Sequence, residues 1–524
     1  MSQNLILTID LGTSGPKVSV YDERGKLIDH AFRETFQILS EHGGAEHDTD
    51  EWKLAIINAY KEIKARGLFH SKEIKAINIS SLWSSTVAVD KNGNSLKNAI
   101  MWMDSRGAKY IHEKVGTGLI KIDGYNLFKI LKFISITGGG PSKSGKDSIA
   151  HILYLQNEEK EIYDKAYKFI EPKDYLNAWL CGRICSSYDG ITLHWITDNR
   201  DINNIKYDSS LIKLFGIDAE KLPELLPPNS IVGKITKETA RNFELDENCV
   251  VISGSGDTNS AAVGSGAIRD YEPHLYIGTS SWLFTHLPYK KTDIFHNMGT
   301  IPSSIPGKYV LANEQECSGV NLNFLKNNIF YPQDELNNEA APKDFYKRLD
   351  QMAARIPAGS DNLMYLPWLY GERSPVDDHH ARGGFYNLSL QHTRAHMARA
   401  VFEGVAFNSR WLLKYVEKNM KRESAGIRFI GGGANSAVWC QIIADVMNRP
   451  ILQVKDPIQA NSRGSAFLAS AAMGWIKYED IADLSEVEKI YEPNKNLTKR
   501  YNELFEIFVE IYNKNKSIFA KLNT

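Results

Sequence analysis

Cysteine is scarce in this chain: five among 524 residues, at positions 181, 185, 249, 317 and 440. An odd, scattered count excludes a disulfide framework and fits a reducing compartment. Cys181 and Cys185 have no second cysteine or histidine pair close by in sequence, which leaves a structural role rather than a zinc site. Excess charge is missing too. Lys and Arg number 62 against 63 Asp and Glu, a formal net charge of −1, and no long basic run occurs. That argues against nucleic acid or an anionic membrane as the main partner. No run of about 18 apolar residues is present, so no membrane-spanning helix is expected. The first apolar stretch lacks a basic lead and is interrupted by Asp10, which speaks against a signal peptide. A cytoplasmic protein is the expectation.

What is present is an ordinary water-soluble composition, 43% hydrophobic and 24% charged. The length exceeds what one hydrophobic core supports, so two large domains are expected. Residues 5–10, Lys17–Tyr21 and Lys26–Phe32 read as three antiparallel strands joined by turns at Gly12–Gly15 and 22–25. A helix follows over 51–66, with Trp52, Ala55, Ile56, Ala59, Tyr60 and Ile63 on one face. Ile74–Ser80 and Ser85–Val89 read as strands. In the second half, His274–Ile277, the turn Gly278-Thr279-Ser280-Ser281 and Trp282–His286 repeat the opening strand–turn–strand. A Gly-Thr-Ser turn in both halves indicates a diverged internal duplication. Helices are expected at 393–420, 436–447 and 498–520, with a strand at Ile427–Ile430.

Three glycine turns and two acids carry the chemistry. After the apolar run Val250-Val251-Ile252, Gly254 and Gly256 permit a tight turn and a close ligand approach. Asp257 stands at that strand exit, ahead of small residues able to pack as a close-fitting helix. A carboxylate there can take a proton from a substrate hydroxyl. Asp10 precedes the first Gly-Thr-Ser turn. Backbone amides of glycine turns cradle phosphate oxygens without side-chain bulk. Taken singly, each motif also has a plainer reading: a hairpin, a turn-forming Asp, a core Trp at 102, or a strand-to-helix loop at 431–433.

Together and in order, these segments resemble the FGGY family of carbohydrate kinases, most closely its xylulokinase branch. The resemblance runs nearly end to end. Asp10–Val18 is similar to the first phosphate hairpin, Trp102-Met103-Asp104-Ser105-Arg106 to the sugar-side Trp-x-Asp-x-Arg motif, and Gly254–Ala262 to the segment bearing the catalytic aspartate. Gly278–Ser281 resembles the second phosphate hairpin, 394–407 the C-terminal signature helix, and Gly431–Asn435 with Trp439, Gln441 and Asp445 the adenosine turn and helix. The resemblance implies an α/β fold of two actin-like (ribonuclease-H-like) ATPase domains flanking a central cleft, divided as 1–253 and 254–524. It implies ATP with Mg²⁺ and phosphorylation of a small sugar, a ketopentose such as D-xylulose first, with another ketose, a polyol, a sugar acid or a silent sensor as alternatives. Asp257 becomes the base, with Asp10 and Asp257 at the metal. Gly12, Thr13, Ser14, Lys17, Gly278, Thr279, Ser280, Gly432, Gly433, Ala434 and Asn435 become nucleotide contacts. Trp83, Trp102, Asp104, Arg106 and Thr258 become sugar contacts. A homodimer is among the open oligomeric states.

Departures from the branch gather on the sugar side. Leu82-Trp83-Ser84 stands in place of Gln-Met-His, His151-Ile152-Leu153-Tyr154 in place of a Lys-x-x-Trp step, and Thr258 in place of Asn after the base. One segment competes for the phosphate role. Gly140-Pro141-Ser142-Lys143-Ser144-Gly145-Lys146-Asp147 nearly spells a Walker A loop, with Lys132–Thr137 readable as the strand before it and Ile149–Leu155 as the helix after it. Asp147 stands where that loop needs a hydroxyl. Lys143 and Lys146 either reach the sugar cleft or are solvated.

Overall fold

The computed structural model describes residues 4–122 and 124–523. The first sheet begins with strands β1 (Leu5–Gly12), β2 (Gly15–Asp22) and β3 (Leu27–Phe32). Helix α1 (Thr49–Ala65) follows, then β4 (Ile74–Ser81), β5 (Ile231–Lys234), β6 (Val250–Ile252) and the short β7 (Ser255–Gly256), which leads into helix α2 (Asp257–Gly264). The strands lie in the order β5-β6-β4-β1-β2-β3, and β7 also pairs with β4. This sheet therefore runs past residue 253. Its central strand β1 is buried along nearly its whole length, as the apolar residues Leu5, Ile6, Leu7, Ile9 and Leu11 on both of its faces require in a doubly covered strand. The six apolar positions expected on one face of α1 are all buried, and the Asp48 side chain caps the helix start.

The second sheet contains β8 (Pro273–Ile277), β9 (Ser281–Leu287), β10 (Thr292–Asp293), β11 (Met298–Pro302) and β12 (Tyr309–Ala312). Helix α3 (Arg394–Met420), β13 (Ile427–Ile430), α4 (Ala437–Met447), β14 (Ile451–Val454), α5 (Ala460–Ala472), β15 (Val487–Tyr491) and α6 (Thr498–Leu522) complete this half. Strand order is β10-β11-β12-β9-β8-β13-β14-β15. The two sheets repeat one succession of pairings. An antiparallel hairpin (β1/β2; β8/β9) is followed by two parallel neighbours (β4 and β6; β13 and β14) and an antiparallel edge strand (β5; β15). The duplication expected from two short turns is thus repeated at the level of topology.

Helix α5 joins the halves. Its Ala466 and Ala469 pack with Ile6, Tyr21, Ala76 and Ile252 of the first sheet. It crosses α2 at two glycines. A Cβ on Gly264 would lie 1.8 Å from the Ala460 carbonyl oxygen, and one on Gly464 would lie 1.9 Å from that of Ser260. Only hydrogen fits at either point.

A third cluster, built around Phe133, Leu153, Phe169 and Phe215, forms the core of the segments inserted after β4. Here one expectation is corrected: Lys132–Thr137 is not a strand but the end of a helix, Leu127–Thr137. Asn126 caps that helix by accepting from the amides of Phe128 and Lys129, and Phe133, Ile136 and Thr137 face inward at helical spacing. The helix after it, Ser148–Glu158, is present. All five cysteines are free thiols. Among the described residues no helix is long and apolar enough to cross a membrane.

Candidate active site

The cleft between the sheets is built from strand ends. Asp10 is the third residue from the end of β1, where the hairpin to β2 turns over Gly12–Gly15. Gly15 holds φ +133°, and a Cβ on it would strike the Arg33 carbonyl oxygen at 2.0 Å, so the turn requires glycine there. The Asp10 carboxylate accepts from Ser80 Oγ at 2.7 Å and lies 3.3 Å from Lys17 Nζ. Lys17 also donates to the Ile458 carbonyl at 3.2 Å, tying the first hairpin to the segment that opens α5.

Asp257 is the first residue of α2, at the helix end that favours negative charge. Its Oδ1 accepts from the Thr258 amide at 2.8 Å. Burial pushes the Asp257 carboxyl up to about 7, and the negative charges of Asp10 and Glu314 add to the rise. The two acids therefore lie within electrostatic reach of each other across one cleft. Trp83 forms the adjoining wall. Its indole N–H donates to the Gly190 carbonyl at 2.6 Å, and its ring would be 3.1 Å from a Cβ on Gly256. That leaves the Trp83 ring, not its N–H, to face a ligand.

The second hairpin, Gly278–Ser280, is braced from behind. Gly319 N–H donates to Gly278 O at 2.8 Å and Ser318 N–H to Thr279 O at 2.9 Å. The turn Gly432–Asn435 lies beside it, because Gly431 and Gly433 press against Ile277: a Cβ on either would come within 2.6 Å or 2.8 Å of that residue. Asn435 is exposed. Gln441 and Asp445, further along α4, hydrogen-bond to each other at 2.9 Å.

Trp102 reaches the first hairpin, its indole N–H donating to Thr13 Oγ1 at 3.1 Å. Asp104 and Arg106 sit behind it in a closed network. Asp104 accepts from the amides of Ala45 (2.9 Å) and Arg106 (3.0 Å) and from Arg106 Nε (2.9 Å). Arg106 continues to Glu46 at 2.7 Å and stacks over the Tyr154 ring at 4.4 Å.

Family models match both halves of the chain. Residues 5–264 match the N-terminal domain, and residues 275–473 the C-terminal domain, of the FGGY family of carbohydrate kinases. The chain belongs to the FGGY family of carbohydrate kinases. This FGGY kinase is 30% identical to a xylulose kinase of Staphylococcus epidermidis over 530 residues, covering 100% of this chain and 99% of that one. A gluconokinase of Bacillus subtilis is 25% identical, with 97% and 95% covered. Solved structures of a xylulose kinase and a gluconate kinase from Lactobacillus acidophilus both superpose with a TM-score of 0.86, at 26% and 27% identity and 99% of this chain covered. They cover 99% and 100% of their own chains. The fold is the two-domain sugar kinase and actin-like ATPase fold, and the protein is a sugar kinase, a phosphotransferase that uses ATP.

In this FGGY kinase the Walker-like stretch lies between two helices rather than after a strand, and Asp147 turns back to accept the Ser142 amide. The carboxylate thus occupies the backbone donor that a phosphate loop would offer. Burial pushes Asp147 up to about 6. Its neighbours reach the site even so: Ser84 Oγ donates to the Lys146 carbonyl at 2.9 Å, and the Lys146 charge acts on Glu314. Sequence reasoning missed Tyr276, Glu314 and Arg373. Arg373 pairs with Glu314 and Glu316, both at 2.5 Å. No motif marks these three, although aligning the two Gly-Thr-Ser turns would have placed Tyr276 opposite Asp10.

Proposed function

We propose that the chain transfers the terminal phosphoryl group of ATP to a hydroxyl of a neutral ketose, a ketopentose such as D-xylulose first. One observation carries the reading: Asp10, at the end of the strand that leads into the Gly12–Gly15 turn, and Asp257 lie close enough to act on each other's charge, and the Gly278–Ser280 turn repeats the first hairpin in the second sheet. Amides of the hairpins, with Thr13, Ser14, Thr279 and Lys17, hold phosphate oxygens. Gly432, Gly433, Ala434 and Asn435 leave room for the adenosine. Among the described residues no cluster of three or more His, Cys, Asp or Glu is arranged to hold a metal alone. Asp10 and Asp257 nevertheless fit Mg²⁺, which draws most of its ligands from water and phosphate. When bound, the ion neutralises phosphate charge. Asp257 accepts the proton of the acceptor hydroxyl as its oxygen bonds to phosphorus and the bond to the ADP oxygen breaks. Trp83 and Thr258 line the acceptor side, and Trp102, Asp104 and Arg106 shape its floor against the first hairpin.

The electrostatic field favours a neutral acceptor. The charges that act on Asp257 are both carboxylates, Asp10 and Glu314, whereas Arg373 and Lys146 act on Glu314. A sugar acid would enter against that charge. Relatives named xylulose kinase support the same choice, while the gluconate kinase structure supports the aldonate reading. A coupled ADP-release screen of pentuloses, pentitols, hexuloses and aldonates decides. Highest kcat/KM for D-xylulose is expected, and an aldonate in first place overturns the assignment.

A further inference from the structure

We infer that Tyr276 is a further catalytic residue, whose phenolic O–H donates to an oxygen of the transferring phosphoryl group. The inference rests on the proposed binding of ATP between the two hairpins. It begins from the duplication. Asp10 stands two residues before Gly12 in Asp10-Leu11-Gly12-Thr13-Ser14, and Tyr276 stands two residues before Gly278 in Tyr276-Ile277-Gly278-Thr279-Ser280. The strands repeat the correspondence. Asp10 pairs across its hairpin with Lys17, and Tyr276 with Trp282. Asp10 is level with Ser80 of the parallel neighbour, and Tyr276 with Ile430. One cleft wall therefore presents a carboxylate and the other a phenol from equivalent positions.

The surroundings aim the phenol. Its ring lies flat on Trp282, with centroids 3.8 Å apart and planes 6° apart, and passes under Gly431, where a Cβ would be 3.1 Å from it. Its hydroxyl ends against the second hairpin: a Cβ on Gly278 would meet Oη at 2.4 Å. It bonds to no protein group among the described residues, and Asp257 and Asp10 both act on it electrostatically. A stacked, immobilised ring with an uncommitted hydroxyl beside a phosphate turn is a preorganised donor. Burial and the two acids push its pKa up to about 12, so the phenol stays protonated and donates rather than acting as a base. Asp10 cannot offer a phosphate oxygen a proton; Tyr276 can.

Tyr276→Phe removes only the O–H and keeps the stack. Calorimetry with the full-length protein reads ATP and ADP affinity, and saturating-substrate kinetics read kcat. The expected result is ATP affinity lowered several-fold, ADP affinity unchanged within twofold, kcat down by roughly 10- to 100-fold and melting temperature unchanged. Equal weakening of ATP and ADP would assign Tyr276 to nucleoside diphosphate binding and overturn the inference. Unchanged ATP affinity and kcat would overturn it as well. A wild-type protein that binds ATP yet prefers an aldonate would refute the ketose assignment alone and leave the Tyr276 result readable.

Discussion

Asp257 is in tension with its surroundings. A carboxylic acid held near 7, far above the ordinary carboxylate range, is poised to exchange a proton at neutral pH. The rise has two consequences of definite sign. Catalysis needs the carboxylate, so kcat/KM should climb with pH through an apparent pKa near 7 in a pH–rate profile, set by burial first and then by the charges of Asp10 and Glu314. Stability runs the other way. Between the unfolded value and about 7 the folded state holds the extra proton, so stability falls as pH rises through that window. Asp257→Asn should therefore be more stable than wild type at pH 8, by on the order of 1–3 kcal/mol, and equally stable at pH 3. Urea unfolding at the two pH values checks this. Turnover of the same variant should drop by roughly 10²–10⁴-fold, with nucleotide affinity within a few fold. Asp257 and Asp10 stand out in the sequence because each lies at the end of an apolar strand segment and adjoins a glycine turn. Glu314 and Arg373 do not, because they stand 59 residues apart and a pair that meets only in the fold leaves no local pattern.

At the scale of elements, the α2–α5 crossing decides where the base sits. Asp257 and Gly264 begin and end the same helix, and Gly264 has no room for a methyl group against the Ala460 carbonyl. The obstacle is backbone, which cannot rotate away. Gly264→Ala should cost about 1–3 kcal/mol of stability and displace Asp257, lowering kcat more than it raises the nucleotide KM. Denaturant midpoints and steady-state kinetics report the two effects. Gly464→Ala, which meets Ser260 O at 1.9 Å, should behave alike. The small residues after Asp257 announced a close-packed helix. Their partner could not be named, since nearly two hundred residues separate α2 from α5 and small-residue helices carry no address. Lys132–Thr137 is readable as a strand for a related reason: six apolar-rich residues fit either period until Asn126 is seen to cap the helix that contains them.

At the scale of the molecule, the two halves also meet at a seam outside the cleft. Lys290 donates to the carbonyls of Ile134 (2.9 Å) and Ser135 at the end of helix Leu127–Thr137. Thr292 Oγ1 donates to Gly138 O at 2.7 Å, Tyr309 Oη to Asn199 O at 2.8 Å and Asn229 Nδ2 to Ser304 O at 2.6 Å. A cation at a helix C-terminus meets the negative end of the dipole and caps free carbonyls. Lys290→Ala should speed amide exchange over residues 134–139 about fivefold, as loss of about 1 kcal/mol implies. Exchange in β1 and β4 should stay unchanged, and mass spectrometry separates the two regions.

The sequence alone determined the repeated strand–turn–strand, the long amphipathic helices, the two acids and the three glycine turns. Each is a short-range matter of period, turn stereochemistry or neighbouring residues. Only the tertiary structure decided that Asp10, Asp257 and Tyr276 come within electrostatic reach of one another, that α5 crosses back to the first sheet, and that the Walker-like loop spends its Asp on its own backbone. Those outcomes depend on which distant surfaces pack together, and burial energy carries no label of sequence position.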